Sequence, residues 1–252
     1  MSAEGAASTQ REPGLLGQVV VVIGGSAGIG LETSRRARAE GADVVLTARN
    51  PERLQEAAAD VGAVTTAAFD ATDAAELKRF FDGLADPIDH VMVTGPGPSY
   101  MPLLEMDADQ VLHALGDHAV LALEVARNAA GKMRPGGTLV FMGGTGGRKI
   151  SRQLGIVPAA TAALPPLAAV LALELAPVRV NLIAAGFVDT PLSASLLGEG
   201  LQARRDELRA TLPIGHVVGP EDVAALAVHL MINTSVTGAT YDIDGGQQFV
   251  SG

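Results

Sequence analysis

The residues with the clearest chemical meaning are the glycines of the stretch Gly24-Gly25-Ser26-Ala27-Gly28-Ile29-Gly30, which directly follows Val19–Ile23. Five β-branched residues without a polar interruption predict a strand that is buried on both faces. Glycine lets the backbone turn sharply and approach a ligand at a point where a Cβ would collide. A helix beginning at about Gly28 would direct unpaired N–H groups and the positive end of its dipole into the turn. The stretch therefore predicts a site for an anionic group, and we expect a pyrophosphate.

The spacing of these glycines is G-x-x-x-G-x-G, which differs from the G-x-G-x-x-G of the most common dinucleotide fingerprint. A glycine cluster alone carries little weight. This cluster gains weight because it lies between a buried strand and a helix close to the N-terminus.

The end of the next predicted strand, residues 43–47, bears on which nucleotide would bind. An acidic residue at this point binds the ribose 2′-hydroxyl in proteins that use NAD. This chain has Thr47-Ala48-Arg49 there instead. Small residues leave room, and the Arg49 guanidinium can donate forked hydrogen bonds to a 2′-phosphate. The sequence therefore favours NADP(H) over NAD(H), the alternative being that Arg49 is a solvated charge at the end of a strand.

Composition narrows the classes of partner. A formal net charge of −10 argues against nucleic acid and against an anionic membrane surface. The chain has no cysteine, and the spacing of its histidines predicts no metal site. We see no apolar run of the roughly 20 residues needed to cross a bilayer. Residues 1–13 are small and polar, so we expect a disordered tail without a signal peptide and a cytoplasmic protein.

Strand and helix patterns alternate along the rest of the chain without a break in composition. This alternation predicts one α/β domain over residues 14–252, with a doubly wound parallel sheet of about seven strands and helices on both faces. Pro165 and Pro166 should kink the apolar helix predicted over residues 157–175. The other strands are predicted at 64–69, 90–94, 138–142, 179–183 and 241–243, and the other helices near 51–62, 73–84, 107–133 and 220–231.

Five motifs in order make the chain resemble the short-chain dehydrogenase/reductase family over nearly its whole length. They are Val22 to Gly30 (with Ile23 where the family has threonine), Phe69-Asp70-Ala71-Thr72-Asp73, residues 173–181, Ala184-Ala185-Gly186-Phe187-Val188-Asp189-Thr190-Pro191, and residues 237–246. The resemblance implies a Rossmann-type fold, a cofactor in the glycine turn and a small-molecule substrate above the nicotinamide. It also implies that Asp70 accepts a hydrogen bond from the adenine amine, although Asp70 could equally cap the following turn. The candidate cofactor residues are Gly24, Ser26, Ala27, Gly28, Ile29, Gly30, Arg49, Asp70, Ala71, Gly95, Gly186, Val188 and Thr190.

The chain departs from the family's proton-transfer pattern. The family uses a tyrosine, a lysine four residues later that lowers the pKa of the phenol, a serine and an asparagine. Here no lysine lies four positions after either tyrosine. Alignment through Leu173-Glu174-Leu175 puts Val157 at the tyrosine position and Thr161 at the lysine position. The serine position falls on Gly144 or Thr145, and the asparagine position on about Leu115.

The candidate replacement groups are His118, Tyr100 and Thr145. Helical spacing puts His118 on about the same face as Leu115, where an imidazole can act as acid or base; the alternative is a helix histidine packed at a subunit surface. Tyr100 follows the fourth strand and is a candidate acid. Thr145, Arg148 and Lys149 follow the fifth strand and could hold an anionic group, although such a loop is more often exposed.

Three functions stay open at this stage. The first is an atypical oxidoreductase, the second a non-redox enzyme such as an isomerase, lyase or cyclase, and the third a cofactor-sensing protein without turnover. Apolar helix surface predicts a homodimer or homotetramer. Residues 192–212 should form a lid over the substrate, with Arg204 and Arg205 on its solvated face.

Overall fold

The computed structural model describes residues 12–98, 100–148, 150 and 154–250. Residues 1–11 of the predicted tail therefore lie outside the described residues, and so does Lys149. The strands are β1 (Val19–Ile23), β2 (Asp43–Ala48), β3 (Thr65–Ala68), β4 (Ile88–Val93), β5 (Met133–Gly144), β6 (Arg179–Ala185) and β7 (Thr240–Ile243). The helices are α1 (Gly28–Ala39), α2 (Pro51–Val61), α3 (Ala74–Gly83), α4 (Ala108–Ala129), α5 (Val157–Ala162), α6 (Leu164–Glu174), α7 (Pro191–Leu197), α8 (Leu201–Thr211) and α9 (Pro220–Ile232).

The strands form one parallel sheet in the order β3-β2-β1-β4-β5-β6-β7. This confirms the predicted Rossmann-type fold. The chain moves outward from β1 to β3 and then returns to place β4 on the other side of β1. Loops leaving the carboxyl ends of β1 and β4 therefore diverge and leave a crevice between them, which is where ligands bind in open α/β sheets.

The core consists of two apolar layers, one on each face of the sheet. Alternate residues of β1 serve the two layers, because successive strand side chains point to opposite faces. Val21 and Ile23 pack toward α3, α4 and α6. Val20 and Val22 pack toward α1, α2 and α9. The continuous β-branched run of β1 is thus explained by a strand with apolar neighbours above and below.

Short polar signals fix where several helices begin. Asn50 accepts a hydrogen bond from the backbone N–H of Arg53 ahead of an N1 proline, as predicted for α2. Asp73 accepts from the first turn of α3. Asp107 and Gln110 form a reciprocal capping box at the start of α4.

The apolar helix predicted over residues 157–175 is broken into α5 and α6. Pro165 and Pro166 lie in the first turn of α6, where a proline costs no hydrogen bond, so the predicted kink becomes a helix boundary. The expectation that no apolar run approaches the length needed to cross a bilayer is wrong by length and composition alone, because the 18-residue window Val157–Glu174 is long and apolar enough to do so. Leu164, Ala168 and Leu171 from this window pack in the core against the sheet, as in the core helix of a folded domain.

Two regions differ from the sequence prediction. β5 begins at Met133, before the predicted residue 138, because the pairing of β4 with β5 shifts register between Ile88 and His90. Gly137 lies at this irregularity, where a Cβ would be 2.4 Å from the carbonyl oxygen of Asp89. The predicted lid contains two helices, α7 and α8.

Candidate functional site

The turn after β1 is closed so tightly that it leaves no room for a side chain at Gly30. A Cβ on Gly30 would lie 2.2 Å from the carbonyl oxygen of Gly24, and Gly24 itself has a φ of +87°. The backbone N–H groups of Gly24 and Gly25 donate to the carbonyl of Thr47 on β2, which fixes the turn to the sheet. α1 begins at Gly28 with no side-chain cap from Ala27 and no acidic residue in its first turn. Its first N–H groups are therefore left for an external acceptor.

The segment after β6 lies against this turn. A Cβ on Gly28 would be 3.3 Å from the γ-methyl carbon of Thr190, the residue that caps α7. Val188 is buried, and its carbonyl accepts a hydrogen bond from Ser193 at 2.6 Å. Gly186 packs against the C-terminal turn, where a Cβ would be 2.7 Å from Cβ of Asp244. The structure thus places Thr190 against the glycine turn, whereas Gly186 packs against the C-terminal turn.

The candidate residues for the adenine end follow β2 and β3, which are neighbouring strands. Arg49 is exposed directly after β2. Asp70 accepts hydrogen bonds from the backbone N–H and the hydroxyl of Thr72, which lower the pKa of its carboxyl, with a smaller contribution from the Arg49 charge. Asp70 therefore caps its own turn, the alternative that the sequence left open. The adjoining Ala71 is half-buried.

His118 lies beside the end of β4. Gly95 has a φ of +76°, and a Cβ there would be 3.4 Å from Cδ2 and 3.5 Å from Nε2 of His118. Burial lowers the pKa of the imidazole, and the neighbouring Asp117 partly opposes this effect. His118 is therefore a neutral imidazole at pH 7 that faces the crevice side of α4 at Gly95.

The positions that the sequence alignment assigned to the family's tyrosine, lysine and serine lie on α5 and around the end of β5. A Cβ on Gly144 would lie 3.4 Å from Cγ2 of Thr161, and a Cβ on Gly146 would lie 3.6 Å from Cγ1 of Val157. The Thr161 hydroxyl donates to the carbonyl of Val157, within its own helix. Thr145 is buried in the 3-10 turn that follows β5. These contacts pack Val157 and Thr161 of α5 against the residues that follow β5, next to the buried Thr145.

The lid helices close over the loops that follow β4 and β6. A Cβ on Gly97 would be 3.3 Å from a δ-carbon of Leu192 on α7. Arg204 on α8 has its Cζ 6.0 Å from the ring centroid of Phe187. Tyr100 is half-exposed, and desolvation raises the pKa of its phenol while the Arg204 charge partly opposes this rise.

Two arginines that we did not expect from the sequence to be paired form ion pairs with carboxylates. Arg148 pairs with Asp242 of β7, so its charge is already compensated. Arg205 donates from Nε and Nη2 to the two carboxylate oxygens of Asp189, at 2.8 and 2.7 Å. The sequence interpreted Arg205 as a solvated charge and did not anticipate this pair. The pair joins α8 to the segment between β6 and α7, which only the tertiary fold brings together, and nothing local in the sequence indicated it.

These observations support the fit of a dinucleotide to the crevice. The turn is a backbone cradle that a Cβ at Gly30 would disrupt, and uncapped N–H groups face it. Arg49 and Asp70 stand at the ends of the adjoining strands. Among the described residues no cluster of three or more His, Asp and Glu could hold a metal ion.

Comparisons with known proteins agree with this geometry. A family model described as enoyl-(acyl carrier protein) reductase matches residues 24–248. The short-chain dehydrogenase/reductase ATR9 of Stachybotrys chlorohalonatus is 28% identical over 252 residues, covering 93% of this chain and 98% of that protein. The structure of BdcA in complex with NADPH has a TM-score of 0.82 at 26% identity and covers 92% of this chain and 95% of that one. The MalC reductase/Diels-Alderase of Malbranchea aurantiaca shares the fold, with a TM-score of 0.87 at 23% identity over 94% of this chain and 99% of its own.

Proposed function

Because this chain belongs to the short-chain dehydrogenase/reductase family, we propose that it is an NADP(H)-binding oxidoreductase of a small-molecule substrate, with an atypical active site. The observation that carries the proposal is the cradle at Gly24 and Gly30, which leaves the N-terminus of α1 open to a pyrophosphate. A nicotinamide cofactor, when bound, supplies or accepts a hydride. The steps that this chain's own residues must perform are binding, orientation and proton transfer.

The proposed binding residues surround the crevice. Backbone N–H groups of the turn would hold the phosphates, and the Thr190 side chain, whose γ-methyl carbon faces Gly28, borders them at the start of α7. Arg49 would bind a 2′-phosphate, which favours NADP(H) over NAD(H). The solved BdcA complex with NADPH supports this assignment at 26% identity.

Proton transfer in the proposed site differs from the family pattern. Reduction of a carbonyl leaves negative charge on oxygen, which needs a donor aimed at it. Val157 offers no proton, and Thr161 offers no cation that would lower a phenol's pKa. We assign orientation of the substrate oxygen to the Thr145 hydroxyl, and proton supply to His118, with Tyr100 at the outer edge of the cleft. A neutral His118 imidazole has one N–H donor and one acceptor nitrogen, so it can relay a proton without carrying a charge.

Cofactor binding and turnover need separate tests. Binding is measured by NADPH fluorescence and by the rise in melting temperature with NADPH or NADH. Turnover is measured as NADPH consumption with a panel of ketones and aldehydes. The proposal expects binding and consumption, and it expects His118→Gln to reduce consumption by about a hundredfold with NADPH binding unchanged. His113→Gln, on the exposed side of α4, is the matched control. Absence of NADPH binding overturns the proposal.

A second candidate is a non-redox reaction in the same cleft. The side chains of Val157 and Thr161 on α5 favour it, since neither can serve an alkoxide as a phenol with a neighbouring lysine does. The MalC reductase/Diels-Alderase has the same fold, and at 23% identity this similarity concerns the fold alone. NADPH binding without consumption by any carbonyl compound would favour this candidate over the first.

We also propose that the chain associates with further copies of itself. Leu112 and Val120 on α4, and Val170 and Leu173 on α6, are large apolar side chains exposed in the single chain. Apolar side chains grouped on neighbouring helices are typical of subunit interfaces. Light scattering should give a dimer or tetramer for the wild type and a smaller species for Leu173→Glu.

A further inference from the structure

Arg204, a cation of the cleft, has N–H groups that make no hydrogen bond within the described chain. Arg204 lies on α8 with its guanidinium near the ring of Phe187, which follows β6. Its charge also acts on the phenol of Tyr100, which follows β4. β4 and β6 flank β5 in the sheet, so the segments that carry Tyr100 and Phe187 leave the sheet on either side of β5, and Arg204 is close to both.

The pairing of Arg204 differs from that of its neighbour. Arg205 uses both Nε and Nη2 on Asp189, so its fork is occupied. Within the described chain, the hydrogen bond of Arg204 runs from Nη1 to Glu207, one turn along the same helix. The edge formed by Nε and Nη2 is therefore left for another acceptor. The Glu207 side chain is 47% exposed, and an exposed ion pair of this kind is weak, so it competes little with another acceptor.

The segments that lead into and out of this region expose apolar side chains. Tyr100, Leu103, Leu192 and Leu196 lie on the loop after β4 and on α7, and each is between 46% and 51% exposed. Leu192 reaches across to Gly97, so these two segments face one another. A planar fork of donors within an apolar border matches a molecule with an apolar body and one carboxylate.

We propose that Arg204 determines substrate specificity by binding the carboxylate of an apolar substrate whose body lies against Tyr100, Phe187 and Leu192. The inference rests on the proposed function, because it places this molecule above the cofactor crevice. It narrows the substrate class to apolar carboxylic acids that carry a reducible carbonyl or an oxidisable hydroxyl group.

The test uses 2-naphthoate and its methyl ester as probes of the subsite. Dissociation constants are measured by calorimetry on the full chain, with and without NADPH, for the wild type, Arg204→Gln and Arg209→Gln. Arg209 is the matched control because it lies on the same helix and pairs with the exposed Asp206. We expect 2-naphthoate to bind at least about tenfold more weakly to Arg204→Gln and unchanged to Arg209→Gln. The ester should bind weakly and equally to all three.

Several results would overturn the proposal. They are equal binding of 2-naphthoate to the wild type and Arg204→Gln, equal binding of acid and ester to the wild type, and no binding of the acid at several millimolar. Arg204→Lys keeps the charge and loses the fork, so it should also weaken binding, and it serves if Arg204→Gln does not fold. If the wild type failed to bind NADPH, the proposed function would be overturned. The binding of 2-naphthoate is also measured without NADPH, so the role of Arg204 is tested separately.

Discussion

Arg205 of α8 and Asp189, in the segment between β6 and α7, form a bidentate ion pair with N–O distances of 2.8 and 2.7 Å. The backbone N–H of Asp189 donates to the carbonyl of Val218, so the carboxylate is held at a fixed point. The next residue, Thr190, lies against Gly28 of the glycine turn. Asp189 therefore links the lid helix α8 to the segment that borders the cofactor crevice.

Arg205→Gln should loosen the lid without unfolding the protein. Both side chains are 29% exposed, and an ion pair that water reaches contributes little to global stability. Hydrogen exchange should accelerate in α7 and α8, while the melting temperature changes by only a few degrees. Arg209→Gln is the control on the same helix. Unchanged exchange in Arg205→Gln would show that the pair does not hold the lid.

Gly30→Ala should disrupt the glycine turn. The added methyl carbon would lie 2.2 Å from a backbone oxygen, which cannot move without moving the turn itself. We expect a loss of at least about 2 kcal/mol in unfolding free energy and of at least tenfold in NADPH affinity. Gly83→Ala, at the end of α3 where a Cβ meets open space, should change neither quantity. Urea unfolding and NADPH fluorescence measure the two effects.

The fold was predictable because its signals are local. The apolar run of β1, the caps at Asn50 and Asp73, and the alternation of strands and helices each report a periodicity or a hydrogen bond within a few residues. The early start of β5 was missed because it depends on a register shift against β4. A register shift is a property of two strands and leaves no trace in either strand alone.

The backbone of the candidate site could be predicted from the sequence, whereas the ion pairs around it could not. The glycine turn and the approach of His118 to Gly95 follow from strand ends and helix spacing. The pairs Arg205–Asp189 and Arg148–Asp242 join residues from separate elements, so sequence reasoning treated these arginines as free. Such long-range pairs determine which arginine keeps unpaired guanidinium N–H groups. This property can therefore be identified only in the folded chain.

Arg49→Ala should weaken NADPH binding selectively. Arg49 is exposed at the end of β2, and a guanidinium bound to a 2′-phosphate contributes about 1.5–3 kcal/mol, which is at least tenfold in affinity. NADH lacks that phosphate, so its affinity should not change. Arg53→Ala, which removes an exposed charge one turn into α2, is the control. Equal losses for both cofactors would remove Arg49 as the residue that selects NADP(H).

His90 should make the fold sensitive to mild acid. The ring lies on β4 with 3% exposure, its Nε2 is 2.6 Å from Oε1 of Gln18, and its Nδ1 is buried with no partner among the described residues. Burial lowers the pKa of the imidazole from 6.5 to about 4; Asp89 opposes this effect and the charge of Arg179 adds to it. The neutral ring is therefore the form that the fold accommodates.

A histidine with a lowered pKa contributes its full stability above the pKa of the unfolded chain. As the pH falls from 6.5 towards 4, the unfolded chain binds the proton first, so the folded state loses stability. Between pH 7.5 and 5 this loss amounts to about 2 kcal/mol. His90→Gln should remove that part of the pH dependence in urea unfolding, whereas His216→Gln, at an exposed position, should keep it. If His90→Gln lost as much stability as the wild type over this pH range, the buried imidazole would not be the group that titrates.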